Sequence, residues 1–504
     1  MGHEHEDEDD EPNLDELWEL AVTETHLPRR AGGLQAIARF LSASDRGPEA
    51  LPVAQTAADI YKQLGDDTEY AGMQWFIGSL LNQLERHEEA LPPLQSAVEI
   101  YESTVRENLT AQCLREMGCT YKKLVRDAEA IEAMRSALEL FVSAKDPRMA
   151  GITAIDLGDF LGSAGRQAEG LEVFRRGFTF FQEAGDLTGA CRTHDRIAAA
   201  LIDLGQRREA IVHLRDALSL AEYTTDEWRA TYSRYRLGWT LVSEGLHGEA
   251  IALLKRASSE NKERGSFVNA AKCDVQLAHA YSTLGRTAEA LALYRTVRVV
   301  FHGAGYADDA AQVDANIALA LQEQGEFLEA QRLYFGAIEA AKELKDDWLD
   351  RSVRVRLASL FLELNQADRA IEVLEPLTLE SFGDNLEDKA NYLSVLAEAR
   401  LAAGDATAAA ELASAVIELG VQPVIQEYLA SAYAVLSKAV AETDPAQSAN
   451  LLANAIALQL AAGKVAKATA LSQQLMPSSG AIPKLQAFRR EEQPALFGEE
   501  PSGT

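Results

Sequence analysis

Small and apolar side chains recur along this chain at a spacing of forty residues. The stretch Gly285-Arg286-Thr287-Ala288-Glu289-Ala290-Leu291-Ala292-Leu293-Tyr294 shows the unit. Its alanine register runs through positions 50, 90, 130, 210, 250, 290, 330, 370 and 409, with a glycine at 170. Four residues on stand Leu94, Met134, Leu214, Leu254, Tyr294, Tyr334 and Leu374, and seven on stand Ala97, Ala137, Ala217, Ala257, Val297, Ala337 and Leu377. Spacing of i, i+4, i+7 places these side chains on one face of a helix.

A second stretch in each unit pairs an apolar residue with a very small one: Ile77-Gly78, Met117-Gly118, Leu157-Gly158, Ile197-Ala198, Leu237-Gly238, Leu277-Ala278, Ile317-Ala318 and Leu357-Ala358. Two antiparallel helices approach closely only where one offers almost no side chain, so each unit reads as a helix hairpin closed at that point. A fixed period over most of the chain predicts a stacked array in place of a single globular core. The units begin near 33, 67, 107, 147, 187, 227, 267, 307, 347 and 387, with a weaker eleventh over about 423–461 and a covering helix over 464–475.

These residues resemble the tetratricopeptide repeat, with Leu-Gly-x-x-Tyr in its first helix and Ala-x-x-x-Phe…Ala in its second. HEAT-type helix pairs share the period but leave the small-residue register unexplained. The repeat is forty residues in place of the usual 34, and the proline that closes the family's unit is absent; longer helices account for the difference. This variety is similar to the repeats of kinesin light chains, spindle-orientation adaptors and Rap-type peptide receptors. The resemblance implies an all-α, right-handed superhelical solenoid of about ten to eleven hairpins. It also implies that the first helices line a concave groove, with positions two and six of each facing a bound peptide.

Carried onto this chain, those positions are Arg192/Arg196, Tyr232/Arg236, Lys272/Gln276, Gln312/Asn316 and Ser352/Arg356. They hold no acid. Tyr235 and Trp239 extend the strip around Arg236 at i, i+3, i+4, i+7. Arginines suit carboxylates in forked pairs, amides suit an extended peptide backbone, and the aromatic rings suit an apolar anchor. The expected partner is therefore another protein or peptide, an extended or acidic segment. Chaperone C-termini would call for a Lys and an Asn four apart on one first helix, whereas Arg115/Cys119 occupy a comparable place.

Charge strengthens the contrast. The chain of 504 residues carries 78 acids against 48 bases, a net charge of −30, and removing the seven acids of residues 1–12 still leaves −23. Such a surface repels nucleic-acid phosphate and anionic lipid, so neither nucleic acid nor membrane is an expected partner. Four cysteines, Cys113, Cys119, Cys191 and Cys273, lack CxxC spacing and read as a reduced, cytoplasmic protein. No phosphate-binding loop, metalloprotease motif or nucleophile elbow is present, and nine histidines show no ligand spacing, so no enzyme activity, cofactor or metal is expected.

Four segments flank the array. Residues 1–12 read as a disordered acidic tail and 13–30 as an N-terminal helix, ended by Pro28 and Gly32-Gly33. The array proper is set at 31–441, a degenerate repeat and capping helix at 442–476, and a flexible tail at 477–504. In that tail Gln493, Leu496 and Phe497 resemble the bacterial sliding-clamp-binding peptide. The same acidic segment would equally serve as an autoinhibitory strand folded into the basic strip. The leading functional reading is a non-enzymatic adaptor or scaffold. The alternatives are a signalling-peptide receptor of the Rap type and a clamp-associated factor.

Overall fold

A computed structural model describes residues 18–19, 23–383, 385–420, 422–462 and 464–474. The acidic tail at 1–12 and the motif Gln493, Leu496 and Phe497 lie outside the described residues. Among the described residues there are 23 α-helices and no strand.

Within the forty-residue unit the backbone itself repeats every twenty residues. Through most of the chain a helix of 17 residues alternates with a three-residue connector, or one of 18 with a two-residue connector. One connector residue is left-handed at 45, 65, 85 and every twentieth position to 365, with φ between 56° and 80°. The following N–H bonds back to a carbonyl five residues earlier, as Arg86 N does to Leu81 O and Arg286 N to Tyr281 O. This satisfies the last carbonyls of each helix. Glycine fills only part of these positions; Val105, Val125, Lys145 and Thr225 occupy others, so a glycine count shows half the joins.

The two helices of a hairpin start differently. Five first helices are capped by an aspartate, Asp66, Asp146, Asp186, Asp226 or Asp346, whose carboxylate accepts the N–H three residues on. Several second helices open instead on an arginine that forks onto a glutamate three residues later, as in Arg86–Glu89 and Arg166–Glu169.

The chain divides into two compact units, residues up to Gly265 and from Ser266 onward. The first holds six hairpins: α1 (Leu27–Ala43) with α2 (Gly47–Leu64), α3 (Asp67–Gln83) with α4 (His87–Ser103), α5 (Glu107–Lys123) with α6 (Asp127–Ser143), α7 (Pro147–Ser163) with α8 (Gln167–Ala184), α9 (Leu187–Asp203) with α10 (Arg207–Tyr223), and α11 (Glu227–Ser243) with α12 (His247–Glu263). Each helix packs on the next, and successive first helices also touch, α3 on α5 and α7 on α9. The small-residue register does what its sterics require. A Cβ on Gly158 would stand 2.3 Å from the Phe174 ring, and one on Gly238 would stand 2.7 Å from Leu254. The break expected at Pro28 and Gly32-Gly33 is not there: α1 starts at Leu27 and runs through all three residues. Proline suits a first turn, where its missing N–H has no partner to lose, and burial of Leu34, Ile37 and Leu41 carries the helix past the glycines.

The second unit holds α13 (Phe267–Thr283) with α14 (Thr287–Ala304), α15 (Ala307–Glu323) with α16 (Phe327–Leu344), α17 (Asp347–Glu363) with α18 (Ala367–Leu374), α19 (Leu386–Ala402) with α20 (Ala406–Glu418), and α21 (Gln426–Val440) with α22 (Pro445–Ala461). Helix α18 is cut to eight residues because Pro376 cannot continue it. A 3-10 turn over Leu379–Phe382 follows, its Phe382 ring stacked 5.0 Å from Tyr392. A final helix, α23 (Val465–Gln474), lays Ala468 and Leu471 on Leu452 and Ile456 of α22.

Candidate peptide-binding face

The site is built from positions two, six and nine of the first helices, which the packing of the small-residue face leaves on the opposite side. In the first unit these residues come from α7, α9 and α11. Arg192 on α9 is exposed and makes no ion pair among the described residues. Arg196, one turn on, reaches Asp159 of α7 at 3.2 Å. Burial pushes the Asp159 carboxyl up, and the nearby arginines pull it back. On α11 the exposed Tyr232 ring lies parallel to Trp228, 5.7 Å between centroids and 3° between planes. Arg236 donates to the Tyr232 hydroxyl at 3.2 Å. Tyr235 and Trp239 are half-buried beside it.

Under this strip lies Asp195, 7% exposed, on the side of α9 that meets α11. Neither of its carboxylate oxygens accepts a hydrogen bond, and the Nε of Arg236 is likewise buried without an acceptor. The Arg229 guanidinium is 4.0 Å away. Burial drives the Asp195 carboxyl up to about 6, against the pull of Arg236, Arg229 and Arg196. The ten groove positions hold no acid, as the register implies, yet Asp159 and Asp195 bring two carboxyls to the same wall from positions nine and five. A cleft of about 220 Å³ opens beside Asp159 and Arg196, floored by Gly158, Gly170 and Phe174.

In the second unit the residues come from α13, α15 and α17. Arg356 Nη1 donates to Asn316 Oδ1 at 3.1 Å, and Asn316 Nδ2 donates to His279 Nε2 at 3.1 Å. One chain of hydrogen bonds thus links three successive first helices. Asn316 is only 6% exposed, so its amide serves the stack and offers nothing to a peptide backbone. Burial, with Arg356 nearby, lowers His279 to about 4 and keeps it neutral. The Lys272 ammonium sits 5.7 Å over the Tyr306 ring. Gln276, Gln312 and Ser352 are half-buried on the same helices.

Two aromatic residues escaped the sequence reading. Trp228 and Trp348 are 60% and 47% exposed, each one turn before position two. The signal was present: Trp228, Tyr232 and Arg236 stand at i, i+4, i+8, as do Trp348, Ser352 and Arg356.

Residues 69–141 match the tetratricopeptide repeat family model, and the chain is a tetratricopeptide-type array of helix hairpins. No curated protein sequence matches it. Among solved structures, aspartyl phosphate phosphatase F from Bacillus subtilis is similar at 16% identity, covering 70% of this chain and 92% of that one with a TM-score of 0.47. The apo form of the quorum sensor NprR from B. thuringiensis is similar at 16%, covering 65% and 97% with a TM-score of 0.44. Yeast Tom70 is similar at 14%, covering 84% and 99% with a TM-score of 0.41. These likenesses carry no functional information. No helix among the described residues is long and apolar enough to cross a membrane.

Proposed function

We propose that this chain is a non-enzymatic, cytoplasmic adaptor that takes an extended peptide segment on the first-helix face of residues 187–243. The segment carries acidic side chains and one aromatic or apolar anchor. The observation that supports this most is the exposed Trp228–Tyr232 stack on α11, with the exposed Arg192 at the equivalent position of the preceding first helix and in no ion pair among the described residues. Exposed aromatic pairs are costly to leave in water and are typical anchors of recognition surfaces. Arg192 acts on Asp159 only through space, and a partner's carboxylate would give it a direct forked pair. The cytoplasmic placement rests on four free cysteines, three of them buried.

A displayed library of random linear peptides tests the reading. The wild-type chain should enrich sequences with acidic residues flanking an aromatic one. Arg192→Glu combined with Trp228→Ala should abolish that binding while the helical content stays unchanged. Enrichment without acidic bias, or binding indifferent to both substitutions, overturns the proposal. A short free peptide bound with no larger protein partner would make the same face that of a signalling-peptide receptor.

A further inference from the structure

Away from that face, the other side of α9 meets α10 through two histidines. His194, buried, and His213, half-buried, lie with their Nδ1 atoms 2.9 Å apart. Asp216, one turn further along α10, is exposed and completes the group: one ligand atom from each residue falls within 4.8 Å of the others. The geometry points to a divalent transition-metal site of the zinc type, with His194 and His213 as nitrogen ligands, Asp216 as oxygen ligand and an open fourth position.

Zinc–nitrogen bonds of about 2.0–2.1 Å at a tetrahedral angle hold two nitrogens roughly 3.3 Å apart. The two Nδ1 atoms share a hydrogen bond at 2.9 Å, and taking an ion between them asks the rings to separate by only a few tenths of an ångström. The Phe178 ring packs 4.5 Å from His194 and fixes its plane. Asp216 supplies the negative charge that offsets part of the ion's, and its exposure gives the ion a path from solvent. Arg175 and Glu209 also face His213, and they bond to each other.

Internal repetition argues that this pair is not ordinary packing. The positions equivalent to His213 are Ala133, Val173, Leu253, Leu293, Leu333 and Val373, all apolar. Only this hairpin replaces that apolar contact with an imidazole, and only here does the opposing position also carry one, where other hairpins have Ala154, Arg234, Asp274, Asp314 and Arg354. The 19-residue separation of the two histidines matches no metal motif, which is why the sequence reading found no ligand spacing. The site would staple α9, the helix that carries Arg192 and Arg196, to its hairpin partner.

The test is calorimetric titration of the metal-free full chain with Zn²⁺ at neutral pH. His3→Ala/His5→Ala, which removes the two histidines near the N-terminus, serves as the background. One saturable site should remain in that background, and it should raise the unfolding temperature. His213→Leu should lose both effects without losing helix content, since leucine stands there in three other hairpins. Asp216→Asn should weaken binding, and Co²⁺ in the same site should give the intense visible bands of four- or five-coordinate cobalt. Zn²⁺ binding that survives His213→Leu, or that vanishes in the terminal background alone, overturns the site.

Discussion

Helices α11 and α17 present the same spacing with opposite outcomes. Trp228, Tyr232 and Arg236 on the first match Trp348, Ser352 and Arg356 on the second, position for position. Arg356 is tied to Asn316 on the first helix one hairpin back, and through it to His279. Arg236 has no such partner: its hydrogen bond runs along its own helix to Tyr232, above a buried carboxyl that accepts none. The repeat register decides where a side chain points. The neighbouring hairpin decides whether that side chain is already engaged.

Acid titration should separate the two walls most strongly, because their buried groups shift in opposite senses. His279 is near 4 in the folded chain and has an ordinary value of 6.5. Between those values the unfolded state binds more protons, so local stability at α13 is full above 6.5 and falls as pH drops toward 4. Asp195 is near 6 when folded against an ordinary 3.8. There the folded state binds more protons, so stability at α9 is full below 3.8 and falls as pH rises through 6. Shifts of this size correspond to at most about 3 kcal/mol each. Hydrogen exchange of α13 should therefore slow between pH 4 and 6.5, after correction for intrinsic rates; on α9, where burial also lowers His194, the part of the pH dependence that Asp195→Asn removes should have the opposite sign. Parallel trends in both helices would break the comparison.

Binding should follow the unengaged wall. Replacing Trp228 and Tyr232 with alanine should weaken an acidic–aromatic peptide by about 2 kcal/mol, roughly 30-fold, as loss of a paired aromatic anchor does. Trp348→Ala should leave the affinity unchanged. The reverse pattern in equilibrium titrations would move the working face to the second unit.

Much of this was legible in the sequence, for a physical reason. A stacked array repeats its steric demands, so Gly158 against Phe174 and Gly238 against Leu254 leave the same mark at every forty residues. Register then delivered Arg192, Tyr232 and Arg236 to one side. What the sequence concealed depends on neighbours about twenty to forty residues away, whose contacts leave no periodic trace. Asp159 meeting Arg196, Asn316 spanning Arg356 and His279, and His194 meeting His213 are each single events in the stack. The twenty-residue period was hidden for another reason: at connectors such as Val105 and Val125 the residue type conceals the backbone conformation.

The engaged wall yields the next contrast. Asn316→Ala leaves the His279 nitrogen without its donor and Arg356 without its acceptor, a loss on the order of 1–2 kcal/mol for buried polar groups. Exchange should quicken in α13, α15 and α17 while α7, α9 and α11 stay as they were. An unchanged rate would mean that the three-helix link contributes nothing to the stack.

The smallest effect comes from the connectors. The first unit holds Val105 and Val125 at φ of 56° and 60°, where the second unit has Gly285, Gly305 and Gly325 in the equivalent joins. A β-branched side chain in the left-handed region crowds its own carbonyl and costs about 1 kcal/mol or more. Both valines are exposed, 78% and 82%, so no buried contact offsets that cost. Val105→Gly and Val125→Gly should each stabilise the first unit by about 1 kcal/mol, less the extra chain entropy that glycine brings to the unfolded state. Thermal unfolding followed by exchange would register the gain in α4 to α6 and none in α13 to α17. A loss at either position would show that the valine makes a contact worth more than its strain.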